Sequence, residues 1–143
     1  MLTAEQIEAA KRRMVYSHRN PVHEHDDCVR IAYAWLDAQG WNKTISRTWR
    51  PWKHIIEAWG GRYVSQSDVE LAAAMHPHIF GVYPRFNISA RLARPWSGRL
   101  QGIGEAGKHS TYAGRYEDVY KDYETEHGIY YPCEKARLAA GLS

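Results

Sequence analysis

One basic segment near the middle of the chain carries side chains of the types that read the edges of DNA bases. Asn87, Arg91 and Arg94 recur at spacings of four and three residues, so they share one face if the segment is helical. Arginine and asparagine carry paired hydrogen-bonding groups that match guanine and adenine edges in the major groove. We therefore expect a short recognition helix here, with five candidate DNA contacts: Arg85, Asn87, Ser89, Arg91 and Arg94.

A second group of potentially reactive side chains lies in the run His23-Glu24-His25-Asp26-Asp27-Cys28. Imidazole, carboxylate and thiol groups are all metal ligands. The spacing matches no zinc signature, and acidic residues also suit the first turn of a helix, where they complement its dipole. We expect a helix start here and neither a metal nor another cofactor. The alternative is a metal-dependent hydrolase that uses His23, His25 and Asp27.

The remaining candidate groups give no positive support for an enzyme. Cys28 and Cys133 form no disulfide framework, and neither has a convincing catalytic base beside it in the sequence. The glycine pattern at residues 102–107 spells a dinucleotide fingerprint but lacks the βαβ context that the fingerprint requires. His76 and His78, on either side of a proline, are typical of a solvated turn. A non-enzymatic protein is the expectation.

The positive charge of the chain is concentrated in its middle. Residues 41–100 contain nine Lys or Arg against three Asp or Glu, whereas both flanking parts contain slightly more acids than bases. This asymmetry is typical of a polyanion-binding surface, although a solvated face with internal ion pairs would give the same count. Within the same region Trp41 and Trp49 alternate with basic residues, a pattern that suits stacking on single-stranded nucleic acid or a protein–protein contact.

Two amphipathic helices are predicted in residues 1–40. Thr3 and Gln6 form a capping box for the first. The second begins near Cys28 and carries the cleanest apolar stripe of the chain: Cys28, Ile31, Ala32, Trp35 and Leu36. This helical pair is expected to brace the rest of the protein or to form a homodimer. The stripe needs a partner surface, either the next helix or a second chain.

A further pair of helices is predicted before the basic segment. An apolar stripe at residues 52–59 follows Pro51 and ends at two glycines, and a capping-box-like sequence at Ser65–Asp68 opens the next helix. After the basic segment, residues 100–106 and 116–123 are β-prone runs separated by glycines, as in a hairpin. A short helix is also possible over residues 135–140.

This order over residues 51–123 resembles a winged helix-turn-helix DNA-binding domain. The resemblance implies a mainly α fold with a small β-hairpin and a winged-helix-like core preceded by two helices. The corresponding units are residues 1–40, residues 41–125 and a C-terminal tail, 126–143. It also implies that double-stranded DNA is the partner, with phosphate contacts near the hairpin tip from Lys108, His109 and Arg115.

The predicted role is that of a DNA-binding regulator or accessory protein, from a phage or another mobile element. The alternative is an interaction protein, such as a phage inhibitor, that binds a host nucleic-acid-handling complex. The chain has no apolar run of membrane-spanning length and no signal-peptide core at its N-terminus, so a cytoplasmic location is expected.

Overall fold

Four α-helices and two small sheets make up the described part of this computed structural model, residues 1–128 together with the backbone of Tyr130–Tyr131. The predicted mainly α fold with a small β part is confirmed, with about 40% helix and 11% strand, but a winged helix is not. No helix among the described residues is long and apolar enough to span a bilayer. The elements are α1 (Ala4–Arg13), α2 (Asp26–Asp37), α3 (Trp52–Gly60), α4 (Gln66–Met75), β1 (Gly81–Val82), β2 (Arg85–Phe86), β3 (Leu92–Arg94), β4 (Tyr120–Glu124) and β5 (Tyr130–Tyr131).

The helices begin where their capping residues predict. Thr3 and Gln6 bond reciprocally across the first turn of α1, as a capping box requires. Ser65 and Asp68 do the same at α4, so aspartate replaces the usual glutamate without loss of either bond. At the end of α3, Gly61 takes a left-handed conformation with φ of 61°, which ends the helix.

The predicted stripe of α2 is fully buried and forms the centre of the core. Its principal partner is α4, with α3 and α1 completing the cover, so the stripe is buried within one chain. Trp35 packs against Trp52 of α3, and its indole N–H donates to the hydroxyl of Tyr120 at 3.0 Å. Helix α3 approaches α2 closely at Gly60, where an added Cβ would meet Ile31 at 2.5 Å.

The predicted recognition helix does not exist. The chain that follows α4 forms a small hairpin, β1 and β2, with a cis peptide bond before Pro84 in its turn, and then β3. A proline follows Arg94 directly and disfavours a helical backbone there. The backbone of β3 pairs instead with β4, nearly thirty residues along the chain, in a parallel ladder.

The predicted wing is also wrong. Residues 100–106 form turns and no strand, because Gly102 and Gly107 take positive φ values of 86° and 79° that redirect the chain. The second run does contain a strand, β4, but its neighbours are β3 and β5. The possible helix over residues 135–140 and Cys133 lie outside the described residues.

The free side of β3 is covered by one side chain. Gln39, which is buried just after α2, accepts a bond from the Ala93 N–H at 3.0 Å and donates to the Ala93 carbonyl at 2.8 Å. Its amide thus pairs with both backbone groups of Ala93, as a neighbouring strand would. This contact ties the end of α2 to the sheet.

Candidate nucleic-acid interface

Asn87, predicted to read bases, is a fully buried structural residue. Its side-chain oxygen accepts from the Phe80 N–H, and its amide nitrogen donates to the carbonyls of Asn42 and His78, each at 2.8 Å. A buried amide is stable only when its polar groups are bonded, and these three bonds meet that need. Asn87 therefore joins the loop after α2 to the β1–β2 hairpin and cannot contact DNA.

The arginines predicted to share its face are paired with carboxylates. Arg91 makes a bidentate contact with Asp122 at 2.9 Å, and Arg94 bonds Glu117 at 2.8 Å. Both arginines belong to the β3 region, so strand pairing brings these acids beside them. The hydrogen bonds to Asp122 raise the pKa of Arg91 above its ordinary value. Burial lowers the pKa of Arg94, but the contact with Glu117 outweighs burial, so this pKa is also raised. Ser89, next to them, bonds the backbone through both its N–H and its hydroxyl.

The three predicted phosphate contacts do not form a hairpin tip. Lys108 pairs with Glu105 at 3.1 Å, and the His109 ring accepts from the Tyr63 N–H at 3.0 Å. Arg115 lies over the ring of Tyr112, with 5.8 Å between guanidinium and centroid. Of the eight residues predicted to contact nucleic acid, Arg85 is exposed and has no carboxylate within 4 Å in the described part of the chain.

Arg85 belongs to a different surface, which is formed by two segments that are far apart in the sequence. The loop between α2 and α3 runs beside β2: the N–H groups of Asn42 and Ser46 donate to the carbonyls of Asn87 and Phe86. Where the loop enters α3, the Trp52 indole donates to the Pro84 carbonyl at 2.7 Å. These bonds place the loop beside the hairpin, and we give the name aromatic–cationic face to the aromatic and basic side chains that the two segments carry there: Trp41, Lys43, Arg47, Trp49, Arg50, Phe80 and Arg85.

The cations of this face keep their charge uncompensated. Five of the nine basic residues in the middle of the chain have a carboxylate partner, namely Lys53, Arg62, Arg91, Arg94 and Arg99. The other four all lie on the aromatic–cationic face, and within the described residues no carboxylate lies within ion-pair distance of them. The sequence explains this, because residues 38–56 and 71–104 contain no Asp or Glu.

The side chain of Arg50 contains a buried hydrogen-bond donor, its Nε, that lacks an acceptor among the described residues. A buried donor left without a partner costs about 1–3 kcal/mol. This nitrogen is closed to solvent, so Arg50 contributes its positive charge to the surface without offering its Nε to an external anion.

The aromatic side chains of the face are exposed, and the ring of Trp41 is also held in place. The exposed fractions of Trp41, Trp49 and Phe80 are 48%, 53% and 47%, large values for such apolar residues. The Trp41 indole stacks on the His78 imidazole, with 4.7 Å between centroids and 13° between planes. Its backbone forms an isolated bridge with Ile88. One ring is therefore already oriented for stacking on a flat partner.

The residues of the metal alternative have separate structural roles. His23 bonds Asp68 of α4, His25 caps α2 by accepting from the Asp27 N–H, and Asp27 pairs with Arg30. No group of three or more metal-ligating side chains is found among the residues that the structure describes.

Sequence reasoning identified most, but not all, of the aromatic–cationic face. The alternation of Trp and basic residues after α2 was visible in the sequence. Phe80 was missed, since a single phenylalanine in a turn gives no signal of which surface it joins. The absence of acids on both segments was the available clue to their shared role.

Comparisons of this chain with protein-family models, with curated proteins and with solved structures found no match. The function is therefore argued from the geometry of the described residues.

Proposed function

We propose that this protein binds single-stranded nucleic acid on the aromatic–cationic face. Exposed aromatic rings interleaved with cations are how proteins hold single strands: bases stack on the rings and the cations follow the phosphates. The single observation that carries the proposal is that two adjoining segments carry exposed tryptophans and four cations with no carboxylate partner among the described residues. The proposal does not rest on a winged-helix arrangement, because the segment that would supply its recognition helix forms strands.

A single strand suits this face better than a duplex does. The bases of a duplex are stacked on each other and are closed to Trp41 and Trp49, whereas the bases of a single strand are free to stack on them. Phosphates would then lie against the exposed Lys43, Arg47 and Arg85. Each stacked base contributes about 1–3 kcal/mol to binding.

The direct test is fluorescence anisotropy with a labelled single-stranded oligonucleotide and its duplex. We expect tighter binding of the single strand, with an affinity that falls steeply as salt rises, because neutralised phosphates release counterions. The double variant Trp41→Ala/Trp49→Ala should weaken single-strand binding at least about tenfold, since it removes two stacking rings. The salt slope of that variant should not change.

Charge variants distinguish binding at this face from non-specific electrostatic attraction to a basic protein. Arg47→Ala/Arg85→Ala should weaken binding and flatten the salt slope. The matched control is Arg12→Ala/Arg13→Ala, which removes two exposed charges from the last turn of α1. If both double variants weaken binding equally, or if neither does, the face is not the nucleic-acid site. Preference for duplex DNA, unaffected by loss of the tryptophans, would also contradict the proposal.

A protein partner is the second candidate, and exposed aliphatic side chains near the same face favour it. Val82 at the hairpin is 69% exposed and Val15 is 88% exposed. Pull-down from a nuclease-treated lysate, compared with an untreated one, distinguishes the two functions. A partner retained after nuclease treatment and lost in Val82→Asp would support a protein interface.

A further inference from the structure

A hydroxyl, an imidazole and a carboxylate stand in line where the chain before α2 meets α4. The Tyr16 hydroxyl lies 2.5 Å from Nε2 of His23, and Nδ1 of His23 lies 2.8 Å from Oδ1 of Asp68. Asp68 is fully buried, and its other oxygen accepts from the Ser65 N–H. With the Nδ1 proton held by Asp68, Nε2 is the acceptor for the phenol proton. Nucleophile, base and orienting acid have this order in hydrolases.

The phenol borders a groove that could admit a substrate. Tyr16 is half-buried and lines a groove of about 370 Å³ between the segment before α2, α4 and the β1–β2 hairpin. The groove is mostly apolar, with Ala73, Ile79 and Phe80 among its walls. An aliphatic chain would fit such walls with its polar end toward Tyr16, which is one of the residues that line the groove.

The surrounding charges decide which electrophile is compatible. Burial raises the pKa of Tyr16, and the negative charges of Asp68 and Glu70 raise it further. The phenol is therefore neutral at rest and needs a base at the moment of attack. The same carboxylates repel a phosphodiester, so an uncharged electrophile is favoured over a nucleic-acid phosphate.

We propose that Tyr16 attacks uncharged carboxylic esters, with His23 as general base and Asp68 as the residue that positions His23. The Tyr16 oxygen forms a bond to the carbonyl carbon while its proton moves to Nε2 of His23. That proton then passes to the leaving alkoxide as the ester C–O bond breaks, which gives an alcohol and an acyl-tyrosine. Water, deprotonated by His23, releases the carboxylic acid and restores the phenol. This activity does not depend on nucleic-acid binding.

The probe is p-nitrophenyl butyrate, an uncharged ester with a short aliphatic acyl chain. We expect a burst of p-nitrophenolate and a butyryl group on Tyr16, located by mass spectrometry of peptides from quenched samples. Tyr116 serves as the internal reference for an unactivated tyrosine. Its side chain is exposed, and its hydroxyl has no hydrogen bond to a described residue. Acylation of Tyr16 should be at least about 100-fold faster than that of Tyr116, the lower range for a positioned base. Equal rates at the two tyrosines would overturn the proposal.

Four variants distinguish a catalytic role of these residues from a purely structural one, in which they only attach residues 14–25 to α4. His23→Asn keeps a donor toward Asp68 but replaces the basic ring nitrogen with an amide that cannot take up the phenol proton, so the folded variant should acylate Tyr16 no faster than Tyr116. Asp68→Asn should lower the same ratio, because the Nδ1 proton is no longer held by a carboxylate. Tyr16→Phe should abolish the burst, whereas the matched Tyr116→Phe should keep it. If folded His23→Asn retains the burst, the relay is only a tether and the assignment fails.

Discussion

Replacing Asn87 by alanine distinguishes a structural residue from a base-reading one. The side chain is fully buried and makes three hydrogen bonds of 2.8 Å, one accepted and two donated. Alanine would leave one N–H and two carbonyls without these partners. Because Asn42 and His78 are exposed residues, water can reach part of the freed groups, so each loss lies near the low end of about 1–3 kcal/mol.

The expected result is a loss of about 2–4 kcal/mol in the free energy of unfolding, a large fraction of the stability of a small domain. Urea-induced unfolding followed by tryptophan fluorescence measures it. Asn42→Ala is the matched control, because Asn42 takes part in the described hydrogen bonds through its backbone alone. Its cost should stay within about 0.5 kcal/mol.

The structural assignment of Asn87 fails if Asn87→Ala is as stable as Asn42→Ala. It fails more directly if that variant keeps its stability but changes its preference among DNA sequences, as a base-reading residue would. We expect the opposite result for Asn87→Ala. Stability falls first, and any loss of binding follows from disorder of the loop that carries Trp41.

Two further predictions concern the core and an acid-sensitive contact. Trp35→Ala should lower the free energy of unfolding by about 3–5 kcal/mol, because the side chain is fully buried. Trp35→Phe loses the bond to Tyr120 and part of the ring volume, so it should cost less, about 1–3 kcal/mol, and urea unfolding compares the two variants. Burial raises the pKa of Asp37, but hydrogen bonds from His76 and Arg99 outweigh burial and leave it below its usual 3.8. This carboxylate therefore contributes stability above that pH and loses it as the pH falls through its folded pKa. Denaturation at a series of acidic pH values should show a shallower loss in Asp37→Asn; equal slopes would refute the contribution.

Features coded by neighbouring residues could be predicted from the sequence. The capping boxes at Thr3 and Ser65, the end of α3 and the stripe of α2 all depend on residues within one or two turns. The predicted recognition helix is wrong because the spacing of Asn87, Arg91 and Arg94 fits one face of a helix but does not by itself specify a helical backbone. The proline after Arg94 was a local warning, whereas the pairing with β4 depends on a contact that no local pattern contains.

The candidate sites show the same division. Trp41, Trp49 and the basic residues between them were visible as a group, but their union with Arg85 needs the hydrogen bonds between the loop and β2. Likewise, Asp68 was recognised as a helix cap, while its second bond, to His23, joins residues 45 positions apart. A capping carboxylate has two oxygens, and a sequence pattern specifies the partner of only one of them.

The contact between Gln39 and Ala93 has a consequence for the solution behaviour of the protein. An open strand edge offers unpaired N–H and carbonyl groups to any other extended chain, and such edges are where folded proteins begin to aggregate. Here the side chain of Gln39 occupies both groups of Ala93 without adding a strand, and this residue directly follows the helix against which the core is built. Assembly of the core and protection of the sheet from intermolecular pairing are therefore linked, because packing of α2 in the core also positions the amide that occupies the strand edge.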